Sequence, residues 1–253
     1  MDFEQQIETA IQLLKRSRKV IALTGAGIST PSDIPDFRSP GSGMWQDVDP
    51  MEVASIYSFR RRPEAFYDWI HPLAKLIIEA EANSAHIALA QLEECGLLRG
   101  IITQNIDMLH SKAGSKNVFE LHGHMREMTC LSCYSVVPSG TYMDAFISRS
   151  EMPICLRCGG ILKPNLILYG EQLPMDIFIQ AGQLIDDCDV MLVIGSSLTI
   201  SPVCDLPIQA RHAGASIIVV NFEPTPVDYL AEAVIHANVI DVIPRLVAPF
   251  LEQ

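Results

Sequence analysis

Apolar residues recur along the chain in two rhythms. Near the start, Phe3, Ile7, Ala10, Ile11 and Leu14 fall three or four apart, the spacing that lines one face of a helix. The rhythm then changes. Val20–Thr24 is an unbroken apolar run that stops at Gly25, as a strand buried on both faces does before a turn. Comparable runs stand at 100–103, 118–121, Val190–Ile194 and Ser216–Val220. Helical stretches are expected over 85–95, with Gly96 placed to end the helix, and near 176–187, 203–213 and 243–252. Strands that alternate with helices predict an α/β fold, a doubly wound parallel sheet covered on both faces.

Two segments interrupt this alternation and are expected to be insertions. Residues 39–53 are rich in Gly, Pro and Asp and read as a loop, followed over 54–80 by helices carrying Phe59, Phe66, Tyr67 and Trp69. Residues 124–161 hold four of the seven cysteines and little continuous apolar sequence. No internal repeat or low-complexity segment is present.

Composition narrows the function. With 49% apolar and 19% charged residues, the 253-residue chain is neither disordered nor fibrous. Its net charge of −12 argues against direct nucleic-acid binding, which needs a phosphate-neutralising surface. No apolar run reaches the ~18 to 20 residues that span a bilayer, so no membrane partner is expected. The N-terminus also lacks a basic start followed by an apolar stretch, so the protein is expected in the cytoplasm. There, seven cysteines argue for metal or free thiols over disulfides.

The cysteines carry the first chemical signal. Cys130 and Cys133 form one CxxC pair, Cys155 and Cys158 another, and two such turns supply the four thiolates of a tetrahedral zinc ion. A filled thiolate shell makes that ion structural, not catalytic. Cys95, Cys188 and Cys204 stand in apolar sequence and are expected in the core.

The second signal is TGAGIST after the first strand. Gly25 and Gly27 supply two glycines of a dinucleotide-binding turn, but Thr30 stands where the third belongs, and no strand ends in an acidic residue ~20 positions later. That departure counts against ordinary hydride transfer. The third signal is the set of polar residues directly after strands, where a doubly wound sheet collects its ligand contacts. These are Gln104, Asn105 and Asp107; His122 and Gly123; Gly195, Ser196 and Ser197; and Asn221. His122 is the natural general base among them.

Taken together, GAGISTPSDIPDFR (25–38), TQNID (103–107), HG (122–123), the two CxxC pairs, KPNLILYGE (163–171), GSSL (195–198) and Asn221 resemble the sirtuins, the NAD-dependent protein deacylases. The resemblance spans essentially the whole chain. It implies a Rossmann-like NAD-binding domain over 1–40, 85–123 and 162–253, a cofactor loop and helical module over 41–84, and a zinc module over 124–161.

By matching position, Gly25, Ala26, Gly27, Thr30, Phe37 and Arg38 line the cofactor loop in that reading. Gln104 and Asn105 face the ribose next to nicotinamide, and Ile106 and Asp107 hold the carboxamide. Gly195, Ser196, Ser197, Asn221, Asp241 and Val242 surround the adenosine half. Leu166, Ile167, Tyr169, Gly170 and Glu171 pair with an extended acetyl-lysine peptide.

The implied reaction is NAD-dependent protein-lysine deacetylation, with His122, Asn105 and Asp107 as its catalytic set. Nicotinamide leaves, the acyl oxygen takes its place on the ribose, and His122 deprotonates a ribose hydroxyl. The products are nicotinamide, free lysine and O-acetyl-ADP-ribose. The alternatives are a mono-ADP-ribosyltransferase, a deacylase for longer apolar groups, and a non-catalytic NAD sensor. The resemblance does not settle the oligomeric state; a monomer is the expectation.

Four positions bear on these expectations. Asp33 stands where the family commonly has Gly, so its turn is expected to avoid a positive φ or be strained. Ser39 also replaces a frequent Gly, and Tyr169 the usual Phe. Ile70 stands three residues after Tyr67, where the family's desuccinylases carry an Arg for the acyl carboxylate. That favours acetyl or a longer apolar group.

Overall fold

The computed structural model describes residues 2–36 and 48–251. In chain order its elements are α1 (Phe3–Arg16), β1 (Val20–Thr24), α2 (Pro50–Val53), α3 (Ile56–Arg61), α4 (Pro63–Glu79), α5 (Ser84–Glu94), β2 (Leu98–Thr103), α6 (Leu109–Lys112), β3 (Val118–Glu120) and β4 (Gly123–Cys130). There follow β5 (Val136–Pro138), α7 (Gly140–Arg149), β6 (Leu162–Leu166), α8 (Met175–Asp186), β7 (Val190–Ile194), α9 (Leu206–His212), β8 (Ser216–Val220), β9 (Ala233–Ile235) and α10 (Val239–Val247). None of the described helices is long and apolar enough to cross a membrane.

Six strands form one parallel sheet in the order β3-β2-β1-β7-β8-β9. Every residue of β1 and β7 is buried, so the continuous apolar runs reflect helices on both faces. Helices α1, α5 and α10 pack on one face through Leu14, Leu89 and Leu246. Helices α8 and α9 pack on the other through Ile185 and Ala210. The chain winds outward from β1 in one direction and from β7 in the other. Their adjacent C-terminal ends therefore mark the point where strand order reverses and a crevice opens.

The interruptions build a second body. Strands β5-β4-β6 make a small antiparallel sheet, against which α3, α4 and α7 pack. Its centre is aromatic. Phe59 and Phe66 meet edge to face at 5.1 Å, and so do Tyr67 and Phe146 at 5.2 Å. The Tyr67 hydroxyl donates to the Leu162 carbonyl, tying α4 to β6.

The structure departs from the sequence expectations in particular places. Phe3 is 42% exposed, its ring covered by the Arg245 guanidinium 5.5 Å away. Helix α10 begins at Val239, four residues before the expected start, because the Asn238 side chain caps it at Ile240 N–H. Asp33 takes a positive φ of 63°, a conformation that Asp tolerates better than most residues. Cys188 is buried as expected, whereas Cys204 is half-buried and Cys95 lies exposed at the end of α5.

Beneath the β1 and β2 ends lies a buried histidine pair, His86 and His110, with ring centroids 4.8 Å apart. Thr24 Oγ1 donates to Thr103 Oγ1, so it accepts from His110 Nε2 at 2.9 Å. Neither ring nitrogen of His86 has a hydrogen-bond partner among the described residues. Burial pushes His86 down to about 4, and burial together with His86 pushes His110 well below its ordinary value. The folded protein therefore excludes protons that the unfolded chain takes up below pH ~6.5, and stability falls as pH drops through that value. Urea unfolding at pH 7.5 and pH 5 is expected to show a lower stability at pH 5, with about 2 kcal/mol of the loss coming from His86 and removed in His86→Phe.

Candidate active site

The β1 and β7 ends fit together through glycine. Gly27 N–H donates to the Gly195 carbonyl at 2.8 Å. Gly195 has φ +58°, and a Cβ there would stand 2.3 Å from the Ile28 nitrogen. A Cβ on Gly25 would meet the Gly195 carbonyl oxygen at 2.8 Å. Backbone groups can thus line the crevice floor without side chains in the way, which is the cradle a pyrophosphate needs.

The floor opens into a cleft of about 960 Å³. It is lined from the sheet side by Gly25, Ala26, Gly27, Thr30, Gln104, Asn105, Ile106, His122, Gly195, Ser196, Ser197 and Asn221. From the second body come Leu166, Ile167, Tyr169, Gly170 and Glu171. The strand ends and the KPNLILYGE stretch therefore share one space.

Hydrogen bonds fix these groups. Gln104 Nε2 donates to Ser196 Oγ at 2.8 Å, bridging the β2 and β7 ends. Asn105 Nδ2 donates to the Gly25 carbonyl at 3.1 Å and to Ser29 Oγ at 3.0 Å. Ser29 donates in turn to Asp107 Oδ2 at 2.6 Å, and Asp107 Oδ1 accepts from Leu109 N–H at 2.9 Å. Because the Ser29 proton is spent on the carboxylate, Asn105 must turn its NH₂ to the serine. Its carbonyl oxygen is thereby left for the cleft. Burial raises the Asp107 carboxyl above its ordinary value, while the Ser29 and Leu109 bonds pull it back down.

His122 Nδ1 lies 3.0 Å from the Gln104 carbonyl. A carbonyl only accepts, so Nδ1 carries the proton and Nε2 the basic lone pair. His124 does not line the cleft.

Some sequence-derived candidates lie elsewhere. Asp107 is 3% exposed and sits behind the lining, where it acts on the cleft through Ser29 and Asn105. Asp241 is exposed and Val242 buried; neither lines the cleft, whereas Asn238 and Val239 at the α10 start do. Phe37 and Arg38, like Ser39, fall outside the described residues. Sequence reasoning missed Ser29, Phe66 and Trp69. The aromatic pair at i and i+3 on α4 carried a signal, since both face the cleft with Ile70. Tyr67 does not line it.

The four cysteine sulfurs all lie within 4.8 Å of one another. Cys130 and Cys158 are 3.5 Å apart, and Cys133 and Cys155 are 3.8 Å apart. Tetrahedral zinc with bonds of ~2.3 Å spaces its sulfurs ~3.8 Å apart, so the cluster fits one structural ion. The ion's place joins the β4–β5 turn to the segment entering β6, away from the cleft.

Residues 25–202 match the Sir2 family. The chain is 41% identical to the NAD-dependent protein deacylase 2 of Archaeoglobus fulgidus, over 96% of each chain. It is 43% identical to the NAD-dependent protein deacetylase 2 of Caldanaerobacter subterraneus subsp. tengcongensis, over 93% of this chain and 92% of that one. Among solved structures, one described as the structural basis for the mechanism and regulation of Sir2 enzymes superposes with a TM-score of 0.92 at 40% identity. It covers 98% of this chain and 99% of its own. A Sir2 protein with a deacetylated p53 peptide and 3′-O-acetyl ADP ribose superposes at 0.89 with 36% identity, over 98% of both chains.

Zinc in this cluster would add stability that a three-stranded sheet with its aromatic core gains only in part from packing. A Cys158→Ser variant is expected to fall from one zinc per chain to none by elemental analysis. Its melting temperature should drop by roughly 10 °C or more. Full stability without zinc would mean that the cluster has no structural role.

Proposed function

The chain belongs to the Sir2 family, and we propose how its own residues carry out the reaction of an NAD-dependent protein-lysine deacetylase. NAD is consumed as co-substrate: its nicotinamide leaves and its ribose accepts the acetyl group, giving O-acetyl-ADP-ribose and free lysine.

The observation that carries the reading is the tautomer of His122, set by the Gln104 carbonyl at 3.0 Å. With Nε2 basic and the ring lining the cleft, His122 takes a proton from a ribose hydroxyl. Asn105, turned by Ser29 and Asp107, offers its carbonyl oxygen to the same ribose. Asp107 keeps the Gln104–Asp107 turn in shape where the carboxamide is held. The glycine cradle of Gly25, Gly27 and Gly195 takes the pyrophosphate. Ser196, Ser197 and Asn221, with Asn238 and Val239 in place of Asp241 and Val242, take the adenosine half.

The acyl-lysine peptide adds as a strand beside 166–171. That stretch is held by Lys163, which donates to the Leu166 carbonyl at 2.7 Å and pairs with Glu171 at 2.9 Å. Phe66, Trp69 and Ile70 give the cleft an apolar wall, and none of its described lining residues is Lys or Arg. A carboxylate on the acyl group would be buried without a cation, which favours acetyl or a longer apolar chain. On this reading the parallel sheet and its helices form the NAD-binding body. Ala54, Phe66, Trp69 and Ile70, with residues 166–171, supply the opposite wall. The protein works in the cytoplasm as a monomer, without direct contact to nucleic acid.

Mass spectrometry of an acetyl-lysine peptide incubated with and without NAD tests the reading. NAD-dependent loss of acetyl with appearance of O-acetyl-ADP-ribose is expected, and His122→Ala should lower the rate by about 10²- to 10⁴-fold. ADP-ribose transferred to peptide or protein with the acetyl retained would favour the transferase instead.

A further inference from the structure

Beside the main cleft lies a smaller hollow of about 480 Å³, lined in part by Glu52, Ser55, Tyr57, Arg61 and Arg62. It stands at the end of the sequence Arg60-Arg61-Arg62, three consecutive cations in a chain of net charge −12. All three are exposed, and none forms an ion pair among the described residues. The negative end of a helix dipole favours arginine in the last turn of α3. That accounts for cations at this point, but not for a hollow that two of them line.

The hollow is joined to the peptide stretch. Tyr169 N–H donates to the Ala54 carbonyl at 2.9 Å, and Ile56 N–H donates to the Tyr169 carbonyl at 3.0 Å, so the start of α3 is hydrogen-bonded to this stretch. The Tyr57 ring lies directly against Gly170, where a Cβ would stand 2.7 Å from Tyr57 Cε2. Gly170 lines the main cleft and Tyr57 lines the hollow, so the two meet at this contact. Arg61 follows Tyr57 by four residues and shares its face of α3, ~6 Å further on. An extended peptide advances ~3.3 Å per residue, so a side chain about two residues from the one at Gly170 reaches the hollow.

Charge selects the ligand. The described lining of the main cleft has no Lys or Arg and carries the acids Asp36 and Glu223, besides Glu171, which Lys163 pairs. An acidic side chain is repelled there and attracted at Arg61 and Arg62, with Glu52 the opposing acid in the hollow. The geometry points to a carboxylate subsite: Arg61 and Arg62 take an Asp or Glu side chain of the substrate peptide, making the reaction selective for acidic sequence near the modified lysine. This inference rests on the deacetylase reading and on the peptide adding beside 166–171.

The test compares acetyl-lysine peptides that differ only in one Asp or Asn, moved from three residues before the lysine to three after it. At one or two positions the Asp peptide should exceed its Asn counterpart by about 3- to 5-fold in kcat/KM, through KM, and raised salt should shrink the difference. In an Arg61→Gln/Arg62→Gln variant the difference should vanish while the Asn peptides are still turned over. No Asp advantage at any position, or one that survives in the double variant, overturns the subsite and leaves the deacetylase reading intact. Failure to turn over any peptide, the Asn set included, removes the deacetylase reading and the subsite with it.

Discussion

A carboxylate held out of water behind the cleft is the constraint on which the site depends. Asp107 is 3% exposed and has a serine hydroxyl and a backbone N–H as its hydrogen-bond donors. An ionised group so placed must be satisfied locally, since a buried charge without partners costs several kcal/mol. By claiming the Ser29 proton it dictates which way the Asn105 amide turns. A preference set two hydrogen bonds away thus becomes a fixed acceptor at the surface of the cleft. In our proposal this is how a group that never touches the ribose shapes the reaction at it.

The rest of the fold brings that constraint to the right place. The sheet reverses its strand order between β1 and β7, and glycine at both strand ends lets two turns approach more closely than any side chain would permit. Gln104 ties β2 to β7 across this point. The opposite wall needs a second body, and its small sheet is too thin to stand alone. Its aromatic core, the Lys163–Glu171 pair and four sulfurs at zinc spacing supply what the sheet lacks.

Much of this was legible in the sequence because the parallel strands are buried on both faces and read as unbroken apolar runs. The polar residues that follow them mark the crevice for the same reason. Other parts were not legible. Strands β5 and β9 have three residues each, too few to show a period. In β4 alternation is hidden because buried positions include Gly123, Met125, Met128 and Cys130. The early start of α10 was marked by Asn238 ahead of Val239, Val242 and Ile243, a cap and rhythm that the expected start at 243 passes over. Ser29 carried no such mark. Its role exists only because β1 and β2 bring it beside Asp107 across 78 positions of sequence.

The most direct measurement is the kcat/KM for NAD of an Asp107→Asn variant whose thermal melt shows an intact fold. Asparagine keeps the size of the side chain and an acceptor for Leu109, but places an NH₂ where one carboxylate oxygen stood. The Ser29 proton and the Asn105 amide then lose their fixed directions. The account predicts a fall of roughly 100-fold or more, the scale of about 2.7 kcal/mol in the barrier. A variant within twofold of the parent protein would show that the buried carboxylate does not govern the site.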